Sequence, residues 1–492
     1  MKSLLRLLTT IAAAPAATCL LAASVSAASP PGSADGPWLA GRLARTTTGA
    51  SAFTDLRVFQ RIADRNDGTR APGTPGDFAS ARYVTDRLTG AGYRVQRQAV
   101  PYTDFQFDAE QAQELTPTPR NIRVMIMYFS PVTPAGGFTA PLVVTPTNTP
   151  RPGCSAADYA GLPVRGSIVL VPRSSCGYTN QQKIIAALGA RAMLLYLIVP
   201  SPQDIWRLHV FSPGDFTIPG ATVSDQQAEQ LAADAARQPV QLHLELRGHA
   251  VSRTTENIFA ETRGGRADRV VMAGAHLDSV TEGPGINDNA SSAAALLETA
   301  ISLAPYQDRV RNKVRFAWWG AEELIDIGSI YYMSGLTAAQ RANIALYADF
   351  ELIASPNFAR FIYDGGAQAG GTPGPPGSGA VENVIEHYFK RAHLPYEPQD
   401  ITAIGSDHEP FMAAGIPAGG MYLGTLGVKT PAEAAIFGGQ AGQMYDHCYH
   451  QPCDTIANIN RTALDQNVPA IAWTVGRFAL NVSDVAAQRR AR

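Results

Sequence analysis

The sequence predicts an α/β protein whose β-sheet carries helices on both faces and is interrupted by a small β-rich insertion. Two observations predict the sheet: strand-like apolar runs alternate with helical segments after about residue 250, and two helical segments followed by a strand open the chain at about residue 50. A third predicts the insertion, because short β-branched runs broken by Pro and Gly fill residues 126–247. The main domain is therefore expected to comprise residues 50–125 and 250–485.

The composition is that of an ordinary globular protein. The chain has 492 residues, a formal net charge of -2, 17% charged residues and 45% hydrophobic residues. This balance gives no indication of a nucleic-acid partner, and the length allows two or three folding units.

The opening elements of the main domain follow from local pattern. LRVFQRIADRN and FASARYVTDRLTGAG read as helices, the second ending in Gly, and YRVQRQAVPY alternates like a strand. Within the insertion, APLVVTP, GSIVLVP and FTIPGATVS read as short strands and QQKIIAALGAR as a helix.

The later elements alternate between strand and helix. RVVMAGAH, VRFAWWG and IALYADFELIA are predicted strands, SSAAALLETAISLA and VENVIEHYFKRA are predicted helices, and a long helix closes the domain after residue 461. In an open α/β sheet the ligand site lies beyond the carboxyl ends of the strands, so polar residues at those ends are candidates for function.

The amino-terminal segment is typical of a secretory signal. Residues 1–27 carry Lys2 and Arg6, then an apolar stretch, then the small residues Val25-Ser26-Ala27. We expect this segment to be cleaved, the mature protein to be secreted, and no membrane association to remain. An uncleaved anchor is the alternative, which the interruption of the apolar run by Thr and Pro disfavours.

The cysteines indicate disulfides in an oxidising compartment. Cys19 falls within the signal segment, which leaves Cys154, Cys176, Cys448 and Cys453. Their order suggests two local bridges, Cys154 to Cys176 and Cys448 to Cys453. A thiolate zinc site is the weaker alternative, since the chain has no C-x-x-C.

The first candidate site residues follow the first strand of the later part. His276 and Asp278 end the run VVMAGAHLD, and residues two apart in a strand point to the same side. Asp278 could therefore accept a hydrogen bond from one nitrogen of His276 while the other nitrogen binds a metal ion. By itself this pair is weak evidence.

Three more carboxylates follow at comparable positions. Asp288 lies in the Gly-rich turn GPGINDNASS before a helix, where capping the helix is its alternative role. Glu322 and Glu323 follow the apolar run VRFAWWGA. Adjacent acids at the mouth of a buried strand repel each other unless a cation or a proton relieves them, which favours a functional role.

The remaining candidates complete a set of metal ligands. Asp349 and Glu351 lie on one face of IALYADFELIA, and Tyr449 and His450 lie inside CYHQPCDT, where a Cys448 to Cys453 bridge would hold the histidine still. Histidine nitrogens and carboxylate oxygens form a credible ligand set for zinc.

Together these motifs resemble those of the co-catalytic di-zinc leucyl aminopeptidases, a family that includes glutamate carboxypeptidase, glutaminyl cyclase and the transferrin receptor ectodomain. The resemblance rests on AHLDSV, GPGINDNAS, RFAWWGAEEL, ELIASPN and YHQPCDT. It implies a three-layer fold with a mixed sheet and two Zn²⁺ ions per chain. His276 and Glu351 would bind one zinc, Glu323 and His450 the other, with Asp288 bridging both.

The same resemblance assigns the chemistry. It makes Glu322 the general base and Tyr449 the hydroxyl that stabilises the oxyanion, and it implies a cis peptide bond between Asp288 and Asn289. The chain departs from the family at Glu351, where Asp is common, and at Asp349, a second acid two residues earlier. His408 in GSDHEPF matches a motif near the substrate pocket that is not one of the family's metal ligands. It is expected to contact the site residues or to have a structural role.

The insertion resembles the protease-associated domain. The likeness rests on the strand Gly166–Val171, then Arg173, Cys176 and Tyr178, a helix, and the apolar strand AMLLYLIV. Such a domain implies an accessory role in gating or binding substrate, and an unrelated β-rich spacer is the alternative. No context singles out His209, His243, His249, His387, His393 and His447, which are expected to be surface or core residues.

The sequence thus predicts a secreted aminopeptidase acting on peptides with a free N-terminus. A carboxypeptidase-type exopeptidase is the main rival and would need basic residues to hold a substrate carboxylate. A glutaminyl cyclase would not need the full ligand set, and a non-catalytic receptor-like protein would have lost ligands or the base.

Overall fold

The computed structural model describes residues 35–210 and 214–490. The predicted signal segment, residues 1–27, lies outside these described residues, as does Cys19. Within residues 35–210 and 214–490, no helix has both the length and the apolar character needed to cross a membrane.

Three helices open the described chain, and strands and helices follow in mixed order. The helices are α1 (Asp35–Thr46), α2 (Gly49–Asp64), α3 (Pro75–Gly90), α4 (Tyr178–Ala187), α5 (Asp225–Ala235), α6 (Ser291–Leu303), α7 (Ile327–Gly335), α8 (Ala338–Ala342), α9 (Ser378–Ala392), α10 (Glu409–Ala413), α11 (Pro431–Phe437), α12 (Arg461–Leu480) and α13 (Ser483–Arg490). The strands are β1 (Arg94–Thr116), β2 (Arg120–Ile122), β3 (Met125–Ile126), β4 (Phe138–Val144), β5 (Ile168–Pro172), β6 (Ala192–Tyr196), β7 (Gly220–Thr222), β8 (Gln241–Glu261), β9 (Arg266–His276), β10 (Asn312–Trp319), β11 (Ile344–Glu351), β12 (Phe361–Asp364), β13 (Glu397–Asp400) and β14 (Ala418–Tyr422).

The strands join into one mixed sheet. Its order is β13-β12-β14-β11-β9-β10-β8-β4-β5-β6-β7-β3, with β1 on β8 and β2 on β1. In the main domain β14, β11, β9 and β10 are parallel neighbours, whereas β8 and β12 run antiparallel at either side. Strands buried on both faces need apolar side chains throughout, which explains the continuous apolar runs in β9, β10 and β11.

Helices cover both faces of the main sheet. On one face α1, α2, α6, α9 and α12 bury a core that includes Phe59, Leu296, Trp318 and Ile471. On the other face α7 and α10 cover Trp319 and Tyr347, and the ring of Tyr347 stacks on Phe411 with centroids 4.1 Å apart. The predicted three-layer α/β fold is therefore confirmed.

The insertion extends the same sheet. β1 pairs antiparallel with β8 from Arg94 opposite Glu261 to Thr116 opposite Gln241, so one long ribbon connects the main domain to the inserted strands. β1 is longer than the strand predicted around Tyr93–Tyr102, because β8 supplies a hydrogen-bonding partner for the polar residues that follow. Cys154 is bonded to Cys176 inside the insertion, as predicted.

Candidate active site

Three strands deliver the first site residues to one edge of the sheet. His276 ends β9, Glu322 and Glu323 lie just beyond β10, and Glu351 ends β11. The parallel register places Trp319 opposite His276, so the carboxyl ends of β9 and β10 are level. The side chains of His276, Glu323 and Glu351 are almost fully buried.

A tight turn before α6 presents Asp288. The peptide bond between Asp288 and Asn289 is cis, as expected. The carboxylate of Asp454 accepts hydrogen bonds from the backbone N–H of Asn287 at 2.9 Å and of Asp288 at 3.0 Å. Asp454, which is distant in sequence, therefore fixes the conformation of this turn.

A short disulfide-closed loop presents the second histidine. Cys448 is bonded to Cys453 around Tyr449 and His450, which confirms the predicted pairing. The rings of Tyr449 and His450 stack with centroids 3.8 Å apart. His450 has a φ of 56°, a left-handed backbone conformation that a non-glycine residue adopts only when its surroundings impose it.

The predicted ligands meet in two overlapping groups. In the His276 group, His276 Nε2 lies 3.3 Å from Asp288 Oδ1 and 3.4 Å from Glu351 Oε2. In the His450 group, His450 Nε2 lies 3.2 Å from Asp288 Oδ2 and 2.9 Å from Glu323 Oε2. Each oxygen of Asp288 faces a different histidine, so its carboxylate lies between the two groups.

The buried carboxylates at this site need cations to balance their negative charge. Burial raises the pKa of Glu322 and of Glu323, and raises that of Glu351 to about 8. Burial lowers the pKa of His276 and His450, but the surrounding carboxylates outweigh it and raise both, that of His450 to about 10. Oε1 of Glu323 is buried without a hydrogen-bond partner. Nitrogen and oxygen donors in this excess of acid fit divalent zinc.

Asp278 does not make the hydrogen bond that the sequence suggested. His276 Nδ1 lies 3.2 Å from the backbone oxygen of Asp278 and 3.8 Å from its carboxylate. The carboxylate instead accepts hydrogen bonds from the backbone N–H groups of Glu322 and Glu323, both at 3.2 Å. The loop after β10 returns over Asp278 and presents two free N–H groups, so Asp278 orients the paired glutamates as well as the histidine.

The two acids of β11 have different partners. Asp349 accepts hydrogen bonds from the hydroxyl of Tyr347 at 2.9 Å and from Nδ1 of His408 at 3.0 Å. Glu351 faces His276 and accepts a hydrogen bond from Ser406 Oγ at 2.8 Å through its other oxygen. Both oxygens of Asp349 are thus occupied, which favours Glu351 as the ligand. His408 supports the site through Asp349.

Sequence reasoning missed Arg70. This fully buried side chain donates from Nε to the carbonyl of Pro284 at 2.8 Å, from Nη2 to that of Gly285 at 2.6 Å, and from Nη1 to that of Leu277. One guanidinium therefore holds the loop between His276 and Asp288. The motif RNDGTRAPG gives no local sign of this, because the partners lie more than 200 residues away.

The insertion also reaches the site. Trp206 Nε1 donates to the carbonyl of Tyr449 at 2.8 Å, and Gln451 Nε2 donates to that of Ile205 at 3.0 Å. These bonds attach the segment around residue 205 to the disulfide-closed loop.

A cavity opens beside the His276 group. It has a volume of about 210 Å³ and is lined, apart from the site carboxylates and His276, by Leu352, Ala403, Ile404, Gly405, Tyr422, Thr425 and Tyr449. None of the described side chains that line it is Arg or Lys. The cavity can therefore accept an uncharged side chain next to an acidic cluster.

Known proteins resemble the chain over nearly all of its length. The family model described as peptidase family M28 matches residues 257–475, and the PA domain model matches residues 138–231. An aminopeptidase of Pseudomonas aeruginosa is 38% identical over 451 residues, covering 90% of this chain and 83% of its own. Leucine aminopeptidase 2 of Trichophyton rubrum is 36% identical over 433 residues, covering 86% and 83%.

Solved structures share the fold. A zinc aminopeptidase from Bacillus subtilis superposes with a TM-score of 0.68 at 21% identity, covering 87% of this chain and 95% of its own. A peptidase M28 precursor from Shewanella amazonensis gives a TM-score of 0.69 at 22% identity, covering 91% and 98%.

Proposed function

The chain belongs to peptidase family M28 and contains a PA domain, and from this premise we propose that it is an aminopeptidase with two zinc ions in its active site. The observation that carries the proposal is the position of Asp288 between two histidine-carboxylate pairs. His276, Asp288 and Glu351 would hold one ion, and Asp288, Glu323 and His450 the other. The two ions would polarise the scissile carbonyl and lower the pKa of the attacking water.

Glu322 and Tyr449 would carry the remaining steps. Glu322 lies near His276, with Oε2 3.6 Å from Nε2, and lines the cavity without completing either group of three. Its carboxylate would take a proton from the attacking water and deliver it to the leaving amine. The hydroxyl of Tyr449 would donate a hydrogen bond to the oxyanion that develops on the carbonyl.

Charge favours an aminopeptidase over a carboxypeptidase. A substrate carboxylate would need an Arg or Lys partner, and the described lining of the 210 Å³ cavity contains neither. A free N-terminal ammonium suits the carboxylates there. The uncharged part of the lining, which includes Leu352, Ala403 and Ile404, suits a small or medium apolar side chain on the first residue of the peptide.

Two features support secretion. Both disulfides require an oxidising compartment, and residues 1–27 have the composition of a cleavable signal. We therefore place the mature enzyme outside the cytoplasm.

The experiment combines metal analysis with substrate profiling. The purified mature protein should contain two equivalents of zinc and should hydrolyse leucine p-nitroanilide. N-acetyl-leucine p-nitroanilide, which lacks the free amine, should be resistant, as should peptides blocked at the N-terminus that have a free carboxylate. One equivalent of metal, or cleavage of the blocked substrates, would contradict the proposal.

A further inference from the structure

A second, narrower cleft borders the His450 group. We call it the insert cleft, and its lining includes Tyr128, Arg207 and His209 from the insertion, Glu282 from the loop after β9, and Glu323 and His450 from the site. Glu323 lines both this cleft and the 210 Å³ cavity, so one space borders the His450 group and the other the His276 group. The insert cleft has a volume of only about 20 Å³, enough for one small polar group and too little for a side chain.

The charged residues of the cleft already have partners. Arg207 is bonded to Glu110 and to Glu282, each at 2.6 Å, and lies over the ring of Phe107. Asp104, which also lines the cleft, pairs with Arg253 at 2.7 Å. The two bonds of Arg207 attach the insertion to the main domain, and together the ion pairs leave little charge for a ligand.

His209 differs from its neighbours. Its Nε2 is buried without a hydrogen-bond partner, and among the described residues that line the cleft only Glu323 shares this property. A buried polar atom without a partner is costly and calls for an explanation. Glu323 is explained by its role in the His450 group, whereas nothing within the described protein explains His209.

The imidazole is held rigidly. Its ring stacks on Tyr128 with centroids 4.4 Å apart and planes 4° from parallel. The backbone on either side is bonded to the same residue, since Tyr128 N–H donates to Leu208 at 2.9 Å and Val210 N–H donates to Tyr128 at 3.0 Å. A rigid, unpaired hydrogen-bonding atom beside the reacting centre is organised in advance for a ligand.

We propose that His209 is a substrate-positioning residue that hydrogen-bonds the main chain of the residue following the scissile bond. The proposal rests on the proposed aminopeptidase function. The larger cavity has room for the side chain of the first residue, so the scissile bond lies between the two spaces and the leaving part of the peptide passes the insert cleft. Because the cleft admits only a small polar group, His209 contacts main chain and tolerates any side chain at that position.

The test compares substrates that differ in the leaving part. His209→Phe keeps a ring on Tyr128 and removes Nε2, and it should lower kcat/KM for Leu-Gly-Gly by about 5- to 10-fold, the effect of one hydrogen bond. Hydrolysis of leucine p-nitroanilide, which has no main chain beyond the scissile bond, should stay within about 2-fold of the wild type. Replacing the middle glycine of the peptide by alanine or serine should leave the ratio unchanged.

Two controls separate positioning from structure. His209→Gln places an amide where Nε2 was and should recover part of the loss on the tripeptide, and His249→Phe on the exposed surface should change neither activity. Zinc content should equal that of the wild type in every variant. An equal loss on both substrates, or no loss on either, would overturn the role of His209. Wild-type protein that cleaves neither substrate would overturn the proposed function and this role with it.

Discussion

At the scale of single residues, adjacent glutamates have unlike surroundings. Glu323 lies 2.9 Å from His450 with its other oxygen unpartnered, whereas Glu322 lies 3.6 Å from His276 at the cavity. Both backbone N–H groups are bonded to Asp278, which fixes the directions of the two side chains. Neighbours in sequence are thus positioned for different roles.

Substitution of each glutamate should separate these roles. Glu322→Gln should retain two zinc ions and lower turnover by about 10²- to 10⁴-fold, as expected for a lost general base. Glu323→Gln should bind the second zinc more weakly, so that added zinc restores part of its activity. Metal analysis and kcat measured across a zinc titration test both. A Glu322→Gln enzyme that loses zinc, or that keeps normal turnover when fully loaded, would reverse the assignment.

Arg70 supports the loop that carries Asp288. Burial lowers the pKa of its guanidinium to about 10, so the group stays charged at neutral pH and donates strong hydrogen bonds to three carbonyls. Arg70→Met should lower the free energy of unfolding by at least about 2 kcal/mol. It should also weaken zinc binding by about 10-fold, because the loop carrying Asp288 loses its support.

Urea unfolding and competition with a chelator measure these two effects. The exposed Arg82→Met on α3 is the matched control and should change stability by less than about 0.5 kcal/mol. A similar stability for both variants would show that the buried guanidinium contributes nothing to the loop.

At the scale of elements, the loop that carries His450 depends on bonds from outside it. The bridge between Cys448 and Cys453 closes the loop, and Trp206 of the insertion donates to the carbonyl of Tyr449. Both constrain the loop in which His450 has its left-handed backbone. The other bridge, between Cys154 and Cys176, lies within the insertion.

The two disulfides should therefore differ in their effect on zinc. Replacing Cys448 and Cys453 together by Ser should speed zinc loss and lower turnover, because His450 gains freedom to leave its binding position. Replacing Cys154 and Cys176 together should lower thermal stability and leave zinc affinity within about 2-fold. Zinc release to a colorimetric chelator provides the measurement. Equal rates of release from the two variants would contradict this view of the loop.

At the scale of the whole molecule, strand ends were predictable and long-range supports were not. His276, Glu323 and Glu351 follow apolar runs, so periodicity alone brought them to one edge of the sheet. Arg70, Asp454 and His209 escaped prediction because their partners are distant in sequence. Asp454 holds a turn some 166 residues earlier, and no local pattern reports that contact.

The ribbon of β1 and β8 was underestimated for a related reason. The residues after Tyr102 include many polar side chains, and their strand conformation depends on pairing with β8. The inserted domain was recognised from its own motifs, yet nothing in those motifs indicated that it contacts Tyr449 and lines a cleft beside His450.

The continuity of that ribbon determines how the insert cleft can change width. Two single-chain linkers would act as a hinge. A hydrogen-bonded two-stranded ribbon is stiffer, so motion of the insertion relative to the main domain must bend the ribbon. The irregularity between Phe107 and Ala109 is the natural point of flexure, since the ladder is interrupted there. Arg207 lies against Phe107 at that point. Arg207, which attaches the insertion to the main domain, therefore also stiffens the β1–β8 ribbon at the point where the ribbon would bend.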